Sequence, residues 1–359
     1  MKNFDGTMCY MKAIGIICVV AGHSFTGSAI EHFVGLFHMP LFFFVSGYLF
    51  KEKYLQDVKF YFSRKLKNLW YPTFLWIVIA VLLHNILFSF GIYNPDYPYN
   101  ETIPYLYSNV DFVKAFASAI FLRCNELLFA GLWFVRMLFV ASILCYYIIK
   151  YFNNRKLILV GGGILLLIVV VLLLIEEVYS IKVVPYLPFY SSFFFLFGFI
   201  WKKYYSKEYE KELTSIKMLF SCFIILLIGY YWVKSSMLGI SLIKMFPYTI
   251  TAIAGIFMVL SICKRIPMIN TNLFSCYLSY LGNHTYDVLM MHIMSFKIVT
   301  LFLILIYDLD YSEIANFPVC HIFTEKGWFL LYILVGVNLP LALRYYYSSV
   351  KTNFFRNKR

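Results

Sequence analysis

Leu157-Ile158-Leu159-Val160-Gly161-Gly162-Gly163-Ile164-Leu165-Leu166-Leu167-Ile168-Val169-Val170-Val171-Leu172-Leu173-Leu174-Ile175 runs without a charged, hydroxyl or amide side chain. A helix of that length reaches about 28 Å at about 1.5 Å per residue, close to the thickness of a hydrocarbon core. Its three glycines are tolerable in lipid, where neighbouring helices re-satisfy any loosened backbone. The rest of the chain reads the same way. Stretches of comparable apolarity lie at about 10–28, 33–50, 69–90, 128–149, 186–201, 216–233, 243–263, 283–306 and 327–347. Of the 359 residues, 62% are hydrophobic and only 14% charged, against nearer half and a quarter in soluble domains. A soluble enzyme, a disulfide scaffold and a disordered chain are excluded. The expectation is an all-α, polytopic membrane protein of about ten transmembrane helices, forming one domain over 1–359.

The formal net charge of +13 raises the question of nucleic acid, and charge placement answers it. Alternate segments between the spans carry 23 Lys and Arg, the opposite set carries 6, and Arg136 and Lys297 fall inside spans. Lysine and arginine accumulate on the cytoplasmic side, so both termini are expected there. The basic excess faces the lipid bilayer, and no nucleic-acid partner is implied. The first span lacks a cleavage site and reads as a permanent helix. The eight cysteines form no C-x-x-C pair, so no metal site is expected. Cys124 and Cys320 both fall on the outer side, where a bridge between them is left open.

Two loops stand out. The outer loop at about 91–127 is rich in tyrosine, proline and asparagine, as in Tyr93-Asn94-Pro95-Asp96-Tyr97-Pro98-Tyr99. Such a loop reads either as a platform for stacking on a sugar or as an interfacial aromatic belt. The cytoplasmic loop at about 51–67 carries six basic residues. On a helix, Arg64 and Lys67 would share a face, suited to phosphate or serving only topology.

Ionisable groups inside spans are costly and so are candidates for function. Spacing puts His23 roughly 20 Å above the start of its span. His38, Arg136 and His292 fall roughly 8, 12 and 14 Å into theirs, between mid-bilayer and the outer third. Asp287 is expected to pair with a basic group or a neighbouring helix. Lys12 and His23 are eleven residues apart, within about 20° of one helical face and roughly 16 Å apart along it. That register suits an anionic donor held below and delivered above; Lys12 alone is equally a snorkelling anchor.

These residues carry a resemblance. Tyr10-Met11-Lys12 through Ala21-Gly22-His23 resembles the first helix of the acyltransferase family 3 membrane O-acyltransferases, in the fucose 4-O-acetylase-like branch. The family's usual arginine is Lys12 here. Phe37-His38-Met39-Pro40 through Val45-Ser46-Gly47-Tyr48 is similar to its second-helix signature. Arg64-x-x-Lys67 resembles its basic pair, Leu132-Trp133-Phe134-Val135-Arg136 its fourth-helix motif, and Leu281-Gly282-Asn283-His284-Thr285-Tyr286 through His292 its late signature.

The resemblance implies acyl transfer, usually of acetyl from acetyl-CoA, to a hydroxyl of a surface or exported glycan at a bacterial cytoplasmic membrane. It places Lys12, Arg64 and Lys67 on the CoA phosphates and His23 at the chemistry. His23 acts either as base toward the acceptor hydroxyl or as carrier of the acyl group. His38, His292 and Arg136 would orient His23, hold the acceptor or stabilise the oxyanion. Ser46, Trp133, Asn283 and Tyr286 would contact substrate. A multi-pass transporter or flippase is the competing class; against it, the sequence shows no internal repeat and no pair of matching Gly/Pro-broken helices such as carriers have. Oligomeric state is not legible.

Overall fold

The computed structural model describes residues 6–98, 103–152, 154–179, 186–267 and 272–356. Lys2, Tyr99 and Lys182 lie outside the described residues. Among the described residues there is no strand.

The apolar runs fold as helices: α1 (Gly6–Ser24), α2 (Ala29–Gly35), α3 (His38–Tyr48), α4 (Val58–Lys65), α5 (Tyr71–Ser89), α6 (Asn109–Ile120), α7 (Leu132–Tyr151) and α8 (Arg155–Tyr179). The chain continues with α9 (Leu187–Ile200), α10 (Glu210–Leu213), α11 (Ile216–Trp232), α12 (Leu242–Arg265), α13 (Leu273–Asn283), α14 (Thr285–Tyr307) and α15 (Phe329–Arg356). Eight helical stretches among the described residues are long and apolar enough to cross a membrane: α1, α2 with α3, α4 with α5, α7, α8, α12, α14 and α15. The protein is an all-α polytopic membrane protein. The remaining two expected spans coincide with α9, of 14 residues, and α11, of 17. α9 runs on through a π-turn over Trp201–Tyr205.

The described residues gather into two compact units that interleave along the chain. The first comprises 1–18, 32–71 and 134–283; the second comprises 19–31, 72–133 and 284–359.

In the first unit, α3 and α9 meet backbone to backbone. A Cβ built on Gly47 would collide with the Phe195 carbonyl, and one on Gly198 with the Phe44 carbonyl. Small residues permit such contact where lipid supplies no hydrophobic drive between helices. Gly229 lies under Thr251 where α11 meets α12, and Gly255 lies under Phe37. Polar side chains tie the same helices: the Tyr190 and Thr249 hydroxyls are 2.7 Å apart. Phe50, Tyr61, Tyr146 and Phe199 pack in one buried cluster at the ends of α4, α7 and α9.

In the second unit, α14 and α15 pack with Phe296 against Gly336. The Thr300 and Tyr332 hydroxyls lie 2.9 Å apart. Lys297, which sequence places inside a span, is buried with Nζ donating to the Ile314 carbonyl at 2.9 Å and to that of Asn316. Its charge thereby pins the segment between α14 and α15. Cys124 and Cys320 are free thiols; the Cys320 Sγ lies 3.6 Å from the Glu313 carboxylate.

The outer loop is more structured than its composition suggests. α6 opens with a capping box between Ser108 and Asp111, which satisfies two helix-end donors reciprocally.

Candidate active site

α1 ends at Ser24, four residues before the expected boundary. Gly27 follows with a φ of +76°, a left-handed turn that favours glycine. His23 therefore occupies the last turn of α1. Its imidazole, half-buried, lies 5.4 Å centre to centre from that of His292 on α14, the planes tilted by 34°.

His292 is 1% exposed. Its Nδ1 is 3.1 Å from the Val288 carbonyl and 3.0 Å from that of Leu289. A carbonyl oxygen only accepts, so Nδ1 carries the hydrogen and Nε2 keeps its lone pair. That Nε2 is buried with no hydrogen-bond partner. Phe296 meets the ring edge-on at 5.8 Å. Gly131, immediately before α7, closes the other side: a Cβ there would stand 3.9 Å from His292 Cε1 and 3.3 Å from Leu289 Cδ1. Thus two expected site residues, 269 positions apart in the sequence, form one imidazole pair within the second unit.

The first unit carries a basic pocket. A cavity of about 290 Å³ is lined by Ser46, Tyr54, Tyr61, Arg64, Lys65 and Asn68, among others. Ser46 and Arg64 are expected residues, and the fold brings them together. Lys67 is not in the lining. The reason is a π-turn over Leu66–Trp70: an extra residue per turn spoils the i,i+3 register that would align Lys67 with Arg64. Lys65 and Asn68 take its place. Arg64 Cζ lies 5.9 Å from the centre of the Tyr54 ring and Lys65 Nζ 5.5 Å from that of Tyr61, contacts that hold cations by the ring quadrupole.

The other expected residues have separate surroundings. His38, the first residue of α3, donates from Nδ1 to the Val34 carbonyl at 2.6 Å. It has the tautomer of His292 but belongs to the first unit, as do Lys12 and Arg136. Trp133, in the first turn of α7, is half-buried in the second. Asn283 is exposed and bonds back to the Ser279 carbonyl of its own helix at 2.9 Å. The Tyr286 hydroxyl lies 3.1 Å from that of Thr73. Asp287 faces His284 at 3.1 Å and Arg344 at 3.8 Å.

The family model described as "Acyltransferase domain" matches residues 6–347. The chain belongs to acyltransferase family 3. No match was found among curated proteins or among solved structures. The protein is thus a multi-pass membrane acyltransferase. Acyl transfer is commonly assisted by a general base, and imidazole is the side chain whose ordinary pKa suits that task. Among the described residues of this acyltransferase, no group of three or more His, Cys, Asp or Glu is placed to hold a metal ion.

Sequence reading passed over His84 and Glu126. They form a buried pair, Nδ1 to Oε2 at 2.8 Å, with side chains 6% and 1% exposed. The signal was available for His84, an imidazole inside an apolar run. Glu126 had none, because in sequence it looks like any loop carboxylate.

Proposed function

We propose that this acyltransferase moves an acyl group, acetyl in our reading, from cytoplasmic acyl-CoA to a hydroxyl of a surface or exported glycan at a bacterial cytoplasmic membrane. His23 removes the proton as the hydroxyl oxygen attacks the thioester carbon. The carbon–sulfur bond breaks, and the departing thiolate takes the proton back from the imidazolium as free CoA. An ester replaces the thioester, and no redox step is involved.

The observation that carries this reading is the His23–His292 pair at 5.4 Å. His292, fixed in one tautomer by its own helix, serves as a positioning residue by packing its ring beside that of the base. Within the first unit, the cavity with Arg64 and Lys65 supplies cations suited to the donor's phosphates. Lys12 carries the same charge on α1. The basic segments are cytoplasmic in this reading, with both termini inside.

The test is direct. Purified protein given acetyl-CoA labelled in the acetyl group should pass label to the glycan fraction of its own cells, and His23→Ala should not. Label transfer undiminished in His23→Ala would remove His23 from the chemistry.

A further inference from the structure

The second unit contains a cavity of about 510 Å³ lined by His84, Tyr93, Tyr105, Tyr107, Glu126 and Ala130, among others. That size lies within the range of small-ligand sites. Its wall is built with unusual completeness on one side. His84 Nε2 donates to the Tyr105 carbonyl at 2.9 Å, its Nδ1 shares a proton with Glu126 Oε2 at 2.8 Å, and its ring stacks on Tyr107 at 3.4 Å and 8°. Every polar atom of His84 is used.

Two atoms on the same wall are not. Glu126 Oε1 and the Tyr93 hydroxyl are buried and make no hydrogen bond of ordinary geometry, on residues each 3% exposed, although the Tyr93 hydroxyl faces the Glu126 carboxylate and the Leu128 backbone. Each such atom costs about 1–3 kcal/mol when left unsatisfied, so a pair of them in one cavity marks a place where a ligand completes the bonding.

Chemistry narrows the ligand. Among the described residues no lysine or arginine lines the cavity, and the Glu126 carboxylate there is already paired with His84, so the lining favours neither a phosphate nor a carboxylate. An aliphatic ligand would leave both oxygens orphaned. Burial, with the Glu126 charge second, pushes the Tyr93 and Tyr107 phenols far above their usual range, so both remain neutral hydroxyls. Burial likewise pushes the Cys124 thiol up to about 12, leaving it protonated. What fits is a neutral molecule with several hydroxyls and an apolar face for the tyrosine rings.

One lining residue is the chain neighbour of a residue that packs on the imidazole pair. Ala130 lines it, and the next residue, Gly131, lies against His292.

We infer that this cavity holds a neutral sugar unit of the acceptor, with Glu126 Oε1 accepting from one hydroxyl, the Tyr93 hydroxyl bonding a second oxygen, and the tyrosine rings stacking on the sugar face. The inference rests on the acyl-transfer reading above and names the residues that take its acceptor.

A photo-crosslinking amino acid, p-benzoylphenylalanine, tests it in the full chain in native membranes. Placed at Ile103, on the cavity wall, it should give adducts that carry periodate-oxidisable carbohydrate. Placed at Leu334, exposed on α15, it should give none. Absence of carbohydrate at 103, or equal labelling at both positions, in membranes whose wild-type protein transfers labelled acetyl would overturn the inference and leave acyl transfer standing. Membranes that transfer no acetyl would instead count against the acyl-transfer reading, while the crosslink still reports sugar at the cavity. Tyr93→Phe, which removes one oxygen, covers failure of the crosslinking variant to fold. Using the glycan fraction of the same cells as acceptor, it should raise the acceptor KM about tenfold and leave the acetyl-CoA KM in place. An unchanged acceptor KM, or an equal rise in both, would overturn the assignment.

Discussion

The His292 imidazole lies 5.4 Å from that of His23, and hydrogen bonding to its own helix leaves its Nε2 as a buried acceptor with nothing to accept. If His23 is the base, its replacement by alanine should lower acyl transfer by about 10²–10⁴-fold without loss of inserted protein. His292→Leu, which keeps bulk and removes the acceptor, should lower kcat with little change in the acetyl-CoA KM. The double variant should be no slower than His23→Ala, because residues acting as a unit are strongly non-additive. Rate constants for the three variants decide it; multiplied losses in the double variant would show that the two imidazoles act independently.

Arg64 and Lys67 should behave differently, although they lie only three positions apart in the sequence. Arg64 lines the cavity with Ser46 and Lys65, and Lys67 does not. Arg64→Ala is expected to raise the acetyl-CoA KM about tenfold, the scale of one charge-assisted contact. Lys67→Ala should stay within about twofold of wild type, as expected for an exposed charge. Equal KM values in the two variants would return both residues to topology.

That contrast shows where sequence stops being sufficient. The apolar runs predict the helices well, because the length and hydropathy of 157–175 admit almost nothing else. Helix ends are less legible: α1 stops at Ser24 because Gly27 turns the chain into a left-handed conformation, a cue hidden within a run that still reads as apolar. The π-turn over Leu66–Trp70 has no sequence signature, since its residues read as an ordinary continuation of the helix and such single turns are rare. The pairing of His23 with His292 was only a shared depth in sequence, and contact follows from how α1 and α14 pack. His84 was within reach of the rule for ionisable groups in apolar runs, whereas Glu126 becomes notable only once a fold buries it beside an imidazole.

The α3–α9 contact should be intolerant of a single methyl. Alanine at Gly47 or Gly198 drives Cβ into a backbone carbonyl of the opposing helix, and backbone cannot rotate away as a side chain can. Either variant is expected to lose the monodisperse folded species in detergent. Gly163→Ala is the control: nothing lies within 4 Å of its built Cβ, and helix propensity there favours alanine by about 0.5–1 kcal/mol. Size-exclusion profiles of the three variants test the contrast, and a well-behaved Gly47→Ala protein would show that the helices stand further apart.

The outer loop offers a prediction about order rather than catalysis. The Asn85 side chain pairs with the Tyr107 backbone in both directions: Nδ2 donates to the Tyr107 carbonyl at 3.0 Å, and the Tyr107 N–H donates to Oδ1 at 2.9 Å. His84, its neighbour in sequence, fastens Tyr105 by a single bond, Nε2 donating to the Tyr105 carbonyl. Two consecutive residues of α5 thus hold the approach to α6, while α6 itself is capped locally by Ser108 and Asp111. Asn85→Ala removes two hydrogen bonds worth about 1–3 kcal/mol together, and the effect should stay local. Hydrogen exchange of the peptide covering 103–112 should quicken by about ten- to hundredfold, while peptides of α14 keep their protection. Because the loosened segment carries Tyr105 and Tyr107 of the cavity wall, the acceptor KM should rise with it. Exchange at 103–112 that matches wild type would mean the loop is held by its own capping and packing, and that Asn85 is dispensable to the cavity.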